Sequence, residues 1–150
     1  GMPGGWRVGV VNGEAESTRL WLDRALDLTG LFDPPKVDEL VVKRICELPI
    51  IPVSAFEAAN SENFFDKQYV YVDWGTSFSL WHAREFNGHA PPYFRTSTGR
   101  IALDLILKCG GSAFIPQLLV EEQLKAGELY HVEDVAHTSR DVFVEYHSNQ

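Results

Sequence analysis

Short apolar runs rich in branched and aromatic residues alternate along this chain with stretches of helical periodicity. Residues 6–11, Trp-Arg-Val-Gly-Val-Val, form a β-rich run that stops at the turn signal Asn12-Gly13. Thr18, Trp21, Leu22 and Ala25 fall at i, i+3, i+4 and i+7, which predicts a helix over about 14–25. A short strand at 26–29 closes at Gly30, and Asp33-Pro34-Pro35 makes a rigid loop. Residues 38–46 and 48–53 read as two strands, the second apolar except for its prolines. The polar, mixed segment 54–68 is the one stretch with the composition of a linker or lobe boundary.

Beyond residue 68 the alternation is regular. Strands are expected at Tyr69–Asp73, Pro92–Arg95 and Ser112–Ile115, and helices at Thr76–Phe86, Ser97–Lys108 and Leu118–Lys125. Two further strands are expected at 128–133 and 141–146. Phe78, Trp81, His82, Glu85 and Phe86 share a face of the first helix, and Ile101, Leu105 and Ile106 are expected to face inward from the second. Gly110-Gly111 suits a left-handed helix stop. Strands separated by helices of about ten residues imply βαβ units and a mostly parallel sheet covered on both faces. The fold class is α/β.

Composition narrows the function. Acidic residues outnumber basic ones 21 to 13, for a net charge of −8. The densest basic stretch is Lys43-Arg44, so no basic stripe is available for duplex DNA. No stretch approaches the roughly 18 apolar residues of a membrane span. The opening Gly-Met-Pro-Gly-Gly lacks the layout of a signal peptide, and Gly1 before Met2 reads as a cloning scar. Cys46 and Cys109 stand far apart in apolar context and read as reduced core thiols of a cytoplasmic protein.

In an open parallel sheet, ligands bind beyond the carboxyl ends of the strands, where helices begin. Two such junctions stand out: Asp73-Trp74-Gly75-Thr76-Ser77-Phe78, and Arg95-Thr96-Ser97-Thr98-Gly99. Each offers main-chain N–H groups, hydroxyls and the positive end of a helix dipole, which suit a carboxylate or another small polar group. The plainer alternative is helix capping, the common use of Ser and Thr at such positions. Gly110-Gly111 follows a helix and so lacks the geometry of a dinucleotide loop. The five histidines show no metal-ligand spacing on one helix, and neither cysteine has a neighbouring histidine. No cofactor, metal or catalytic residue is expected. A small enzyme using Asp73 or His82 is the outlying alternative.

Several segments, in order, resemble the effector-binding domain of LysR-type transcriptional regulators. They are Gly13-Glu14-Ala15 after the first strand, Leu26-Asp27-Leu28-Thr29-Gly30, the strand pair Leu40–Ser54, and Gly110-Gly111-Ser112-Ala113-Phe114-Ile115-Pro116. Leu119-Val120 through Leu124 and Gly127-Glu128-Leu129 continue the match, with Ser112 standing where the family more often has Gly. The resemblance implies a periplasmic-binding-protein-like, two-lobed α/β architecture. Residues 1–54 would be a truncated first lobe, 55–137 a nearly complete second lobe, 141–146 a strand returning toward the hinge, and 147–150 a tail. It implies a small-molecule effector held by Gly75, Thr76, Ser77 and Phe78 at one helix start and Thr96 and Ser97 at the other. Phe114 and Pro116 would line the cleft, and Val53 and Ser54 would form the hinge. The family's winged helix-turn-helix finds no counterpart, so no direct DNA contact is expected. The uncovered sheet edge of a partial lobe implies a homodimer. A stand-alone interaction module, pairing with itself or with full-length relatives, is the alternative.

Overall fold

The order of strands across the sheet explains where the carboxyl-end junctions meet. The computed structural model describes residues 7–10 and 40–147, with side chains from 46 to 142. The helix expected over 14–25, the strand at 26–29, the Asp33-Pro34-Pro35 loop and the end of the tail lie outside the described residues.

The strands are β1 (Arg7–Val10), β2 (Leu40–Ser54), β3 (Tyr69–Val72), β4 (Phe94–Thr96), β5 (Ser112–Pro116), β6 (Tyr130–His131) and β7 (Thr138–His147). The helices are α1 (Thr76–Glu85), α2 (Gly99–Cys109) and α3 (Glu121–Ala126). The strands form one sheet in the order β1-β7-β2-β5-β3-β4, with β6 also on β2. Among the described strands, β4, β3 and β5 alone run parallel; β2 is antiparallel to β5, β6 and β7, and β1 to β7. The expectation of a mostly parallel sheet therefore holds only for the three strands joined by α1 and α2. Those helices supply the crossovers that parallel neighbours need. The chain before and after them returns antiparallel.

The two strands expected at 38–46 and 48–53 are one strand of 15 residues. Its ladder with β7 continues through a register shift between Arg44 and Cys46, so the pleat is interrupted without ending the strand. The helix expected at 118–125 is broken at Val120 into a 3-10 turn, Gln117–Leu119, and α3. Val120 is fully buried, which fixes that break against the core.

Side chains alternate across β3. Tyr69 and Tyr71 face α1, whose Phe78 and His82 pack on them. Val70 and Val72 face the other side, where α2 buries Gly99, Ala102 and Ile106 at i, i+3 and i+7. Ile106 was expected inside and is; Ile101 is 50% exposed, and Leu105 joins it on the rim of an outer groove. Leu105 is partly buried against the core beside that stripe, and Ile101 is turned outward.

Cys46 and Cys109 are exposed, contrary to the expectation of core thiols. Cys109 ends α2 on the side of the outer groove, and Cys46 adjoins the register shift in β2. Apolar sequence neighbours did not place either side chain on an inward face.

Segment 55–68 is anchored in the core by Phe64, with much of the rest exposed. Phe64, in a 3-10 turn at Phe64–Asp66, is fully buried. Its ring meets Phe65, Tyr69 and Phe114 at centroid distances of 5.1, 5.5 and 5.3 Å, the first and last edge-on. The far end of the loop is tied down by Asp134, whose carboxylate accepts the Ser61 N–H at 3.0 Å. That bond holds the Asp134 carboxyl below its ordinary range.

Candidate functional site

The two strand-to-helix junctions lie side by side. The N–H of Asp73, just past β3, donates to the carbonyl of Thr96, the last residue of β4, at 2.9 Å. Both helices therefore start from one edge of the sheet and then diverge to opposite faces. Gly75, at φ +104, turns the chain into α1 through backbone space that a side chain would oppose. The Asp73 carboxylate accepts the Gly75 N–H at 2.9 Å and holds that turn. Behind it, the fully buried Trp74 indole donates to the carbonyl of Phe114 at 2.7 Å, fixing the end of β3 to β5. Across the junction, the Thr98 N–H donates to the Thr96 hydroxyl at 3.1 Å and shapes the entry to α2.

A notch of about 440 Å³ opens between α1 and the edge of β4, lined by Tyr71, Asp73, Ser79, Arg95, Thr96 and Ser97. The β3–β4 register sets Tyr71 opposite Arg95, so both project to the α1 side. The Arg95 guanidinium lies 5.2 Å from the centroid of the Tyr71 ring, within cation–π range. Ser79 hydrogen-bonds the Tyr71 side chain, while burial is the main cause that raises the Tyr71 pKa. The notch thus holds one cation, one carboxylate and several hydroxyls around an aromatic ring.

The expected contact residues divide into groups. Thr96 and Ser97 line the notch. Gly75, Thr76 and Ser77 stand at the start of α1, with Thr76 and Ser77 exposed, yet none of the three lines the notch. Ser79, one helical turn beyond Thr76, lines it from α1 instead. Phe78 and Phe114 are each 1% exposed and Pro116 is buried, so these three form the core behind the junctions. Tyr71, Ser79 and Arg95 were missed. The strand alternation could have offered Tyr71 and Arg95, because both lie one residue inside the strand ends.

Val53 and Ser54, expected as the hinge, are flanked on both edges, by Ala113 and Ser112 of β5 and by His131 and Tyr130 of β6. Ser54 is fully buried, accepts the Ser112 hydroxyl at 2.7 Å and the Phe56 N–H at 3.1 Å, and is welded to its surroundings. Among the described residues, Leu40–Pro49 of β2 pairs with β7 alone.

His82 is a core residue. It is 5% exposed, shares a 2.8 Å hydrogen bond through Nε2 with the Tyr69 hydroxyl, and is ringed by Phe65, Phe78, Phe86 and Phe114. Burial lowers its pKa to about 4, with His89 and Arg95 adding to the effect. Among the described residues no group of three potential metal ligands comes together, and no helix is long and apolar enough to cross a membrane.

Comparison with known proteins bears on this arrangement. No family model matches the chain. The transcriptional regulator HdfR of Yersinia enterocolitica is 26% identical over 104 residues, taking in 63% of this chain. The chain spans 36% of the length of that relative. Among solved structures, full-length HypT of Salmonella typhimurium, a hypochlorite-specific LysR-type regulator, matches 97% of this chain and 46% of its own at a TM-score of 0.63 and 11% identity. The regulatory domain of CrgA from Neisseria meningitidis, another LysR-type regulator, matches 73% of this chain and 60% of its own at 0.55 and 19%. The fold is that of LysR-type regulatory domains, and the resemblance seen in the sequence rests on an independent sequence relative as well.

Proposed function

We propose that this chain, built on the fold of a LysR-type regulatory domain, senses a small polar effector at the notch where β3 and β4 end. The observation that carries the reading is the convergence of Asp73, Arg95, Thr96 and Ser97 with Tyr71 and Ser79 in one cavity at the carboxyl edge of the parallel strands. Gly75–Ser77 supplies the neighbouring helix start, whose first-turn N–H groups have no acceptor within the helix. The net charge of −8 supports a part that does not itself touch DNA. A role in the cytoplasm, where transcription is regulated, follows from the same reading.

A homodimer is part of the proposal. β4 pairs only with β3 among the described residues, and Phe94 and Ile101 beside it are 45% and 50% exposed. With Leu105 and Cys109 they line an outer groove of about 290 Å³, an apolar surface that supports association. Division into a first lobe at 1–54 and a second at 55–137 completes the reading.

Thermal-shift screening against a metabolite panel finds the effector, because a ligand of the folded state raises Tm by mass action. Ser97→Ala and Ser79→Ala then each weaken the hit by roughly 1–3 kcal/mol in calorimetry if the hydroxyls are buried on binding. Unchanged affinity in both variants refutes the assignment of the notch.

A further inference from the structure

One side chain at the notch is shared by three elements. Tyr71, inside β3, stands opposite Arg95 of β4 in the parallel register. The Arg95 guanidinium lies over its ring, 5.2 Å from the centroid, and Ser79 of α1 hydrogen-bonds its side chain. The ring is anchored from α1 by Phe78 at 6.0 Å and, edge-on, by His82 at 5.0 Å. Phe78 and His82 are buried, so the core holds the ring, whereas Arg95 is exposed on the edge strand of the described sheet. A long exposed side chain loses rotamer freedom when a ligand fixes it, a cost that prior orientation lowers. A cation over a ring is attracted by the ring's quadrupole, a contact that leaves the guanidinium fork to donate elsewhere.

Resting on the effector reading above, we infer that Tyr71 is the positioning residue of the notch and that the head group it prepares for is a carboxylate. The ring sets the Arg95 guanidinium, whose planar fork matches two carboxylate oxygens. The phenol sets Ser79: when it donates to Oγ, the serine proton is left for a ligand oxygen. Ser97 brings a second hydroxyl to the same cavity. Tyr71 needs no contact with the ligand for this. Substitution separates the two halves of the role. Phenylalanine keeps the ring and releases Ser79, and leucine gives up both.

The first measurement needs no ligand. In the whole, isotopically labelled chain, the Arg95 Nε–Hε resonance is identified by its loss in Arg95→Lys. We expect ring current to displace it from the position of free arginine. It should be nearly unmoved in Tyr71→Phe and return to the free position in Tyr71→Leu. A wild-type resonance already at the free position, or one that Tyr71→Leu leaves in place, overturns the positioning role whatever the effector is. The second measurement titrates the chain with a panel of mono- and dicarboxylates by thermal shift, then calorimetry. For a carboxylate that binds, Arg95→Gln should weaken affinity about tenfold or more. Tyr71→Leu should weaken it about fivefold, and Tyr71→Phe about as much as Ser79→Ala. Tyr71→Phe combined with Ser79→Ala should cost no more than Ser79→Ala alone, because both act through one hydroxyl. If Tyr71→Leu, folded by circular dichroism, binds as tightly as wild type, the positioning role is overturned while the sensor stands. Should Tyr71→Leu fail to fold, the wild-type resonance and the combined variant decide in its place. If methyl esters bind as tightly as the acids, or no carboxylate binds, the carboxylate is overturned and the wider metabolite panel decides the sensor reading alone.

Discussion

Replacing Trp74 with Phe tests how the end of β3 is held in place to shape the notch. The indole is fully buried and its Nε1–H donates to the Phe114 carbonyl at 2.7 Å. Phenylalanine keeps an aromatic ring there but has no donor. Loss of a buried partner costs about 1–3 kcal/mol. The ring is smaller by roughly 40 Å³, and at about 24 cal/mol per Å³ of cavity that adds about 1 kcal/mol. The total, about 2–4 kcal/mol, is a large share of the roughly 5–15 kcal/mol typical of a domain. Urea unfolding followed by far-UV circular dichroism measures it without relying on tryptophan fluorescence, which the substitution itself changes. With a slope of about 2 kcal/mol/M, the midpoint should fall by about 1–2 M and the slope should not change. A loss below about 0.5 kcal/mol would refute the reasoning, since it would mean that the indole bond and its packing contribute nothing net.

Three further outcomes follow from the same geometry. His82 has a folded pKa of about 4 against an unburied 6.5, so the unfolded chain binds the extra proton first. Stability from this group is complete above about pH 6.5 and is lost as the pH falls toward 4, by up to about 3 kcal/mol. His82→Phe should flatten that part of a denaturation-against-pH profile, and an unchanged slope would refute the assignment. Gly111→Ala should destabilise by about 2 kcal/mol or more by chemical denaturation, because its Cβ would stand 2.8 Å from the Gln68 carbonyl oxygen at φ +154. Ile101→Glu should shift the chain toward monomer in light scattering at micromolar concentration, and an unaltered mass would remove the outer groove from the dimer reading.

The α/β class and the β-α-β-α-β run from Tyr69 to Pro116 were legible because the periodicity switches sharply between strand and helix. The direction of the outer strands was not. Nothing local in Leu40–Ser54 or Thr138–His147 specifies an antiparallel neighbour, since that is decided by where the chain re-enters the sheet. Helix faces were partly legible. Ile106 and Phe78 face inward and Leu105 packs partly against the core as their spacing suggests, but Ile101 is half exposed, with Gly99 and Ala102 buried on the contact stripe. At the site, Thr96 and Ser97 could be read from the junction rule, while Tyr71 and Arg95 depend on strand register, a pairing between residues 24 apart in the chain. The resemblance implied a hinge at Val53 and Ser54, which pair with β5 on one edge and β6 on the other.

Amide chemical-shift mapping with the effector found by thermal shift tests the central claim most directly. The account predicts the largest changes at Gly75, Ser79, Thr96 and Ser97, around the mouth of the notch, with smaller ones along Leu40–Pro49 if the lobes close. Changes confined to the outer groove at Ile101–Cys109 would contradict it.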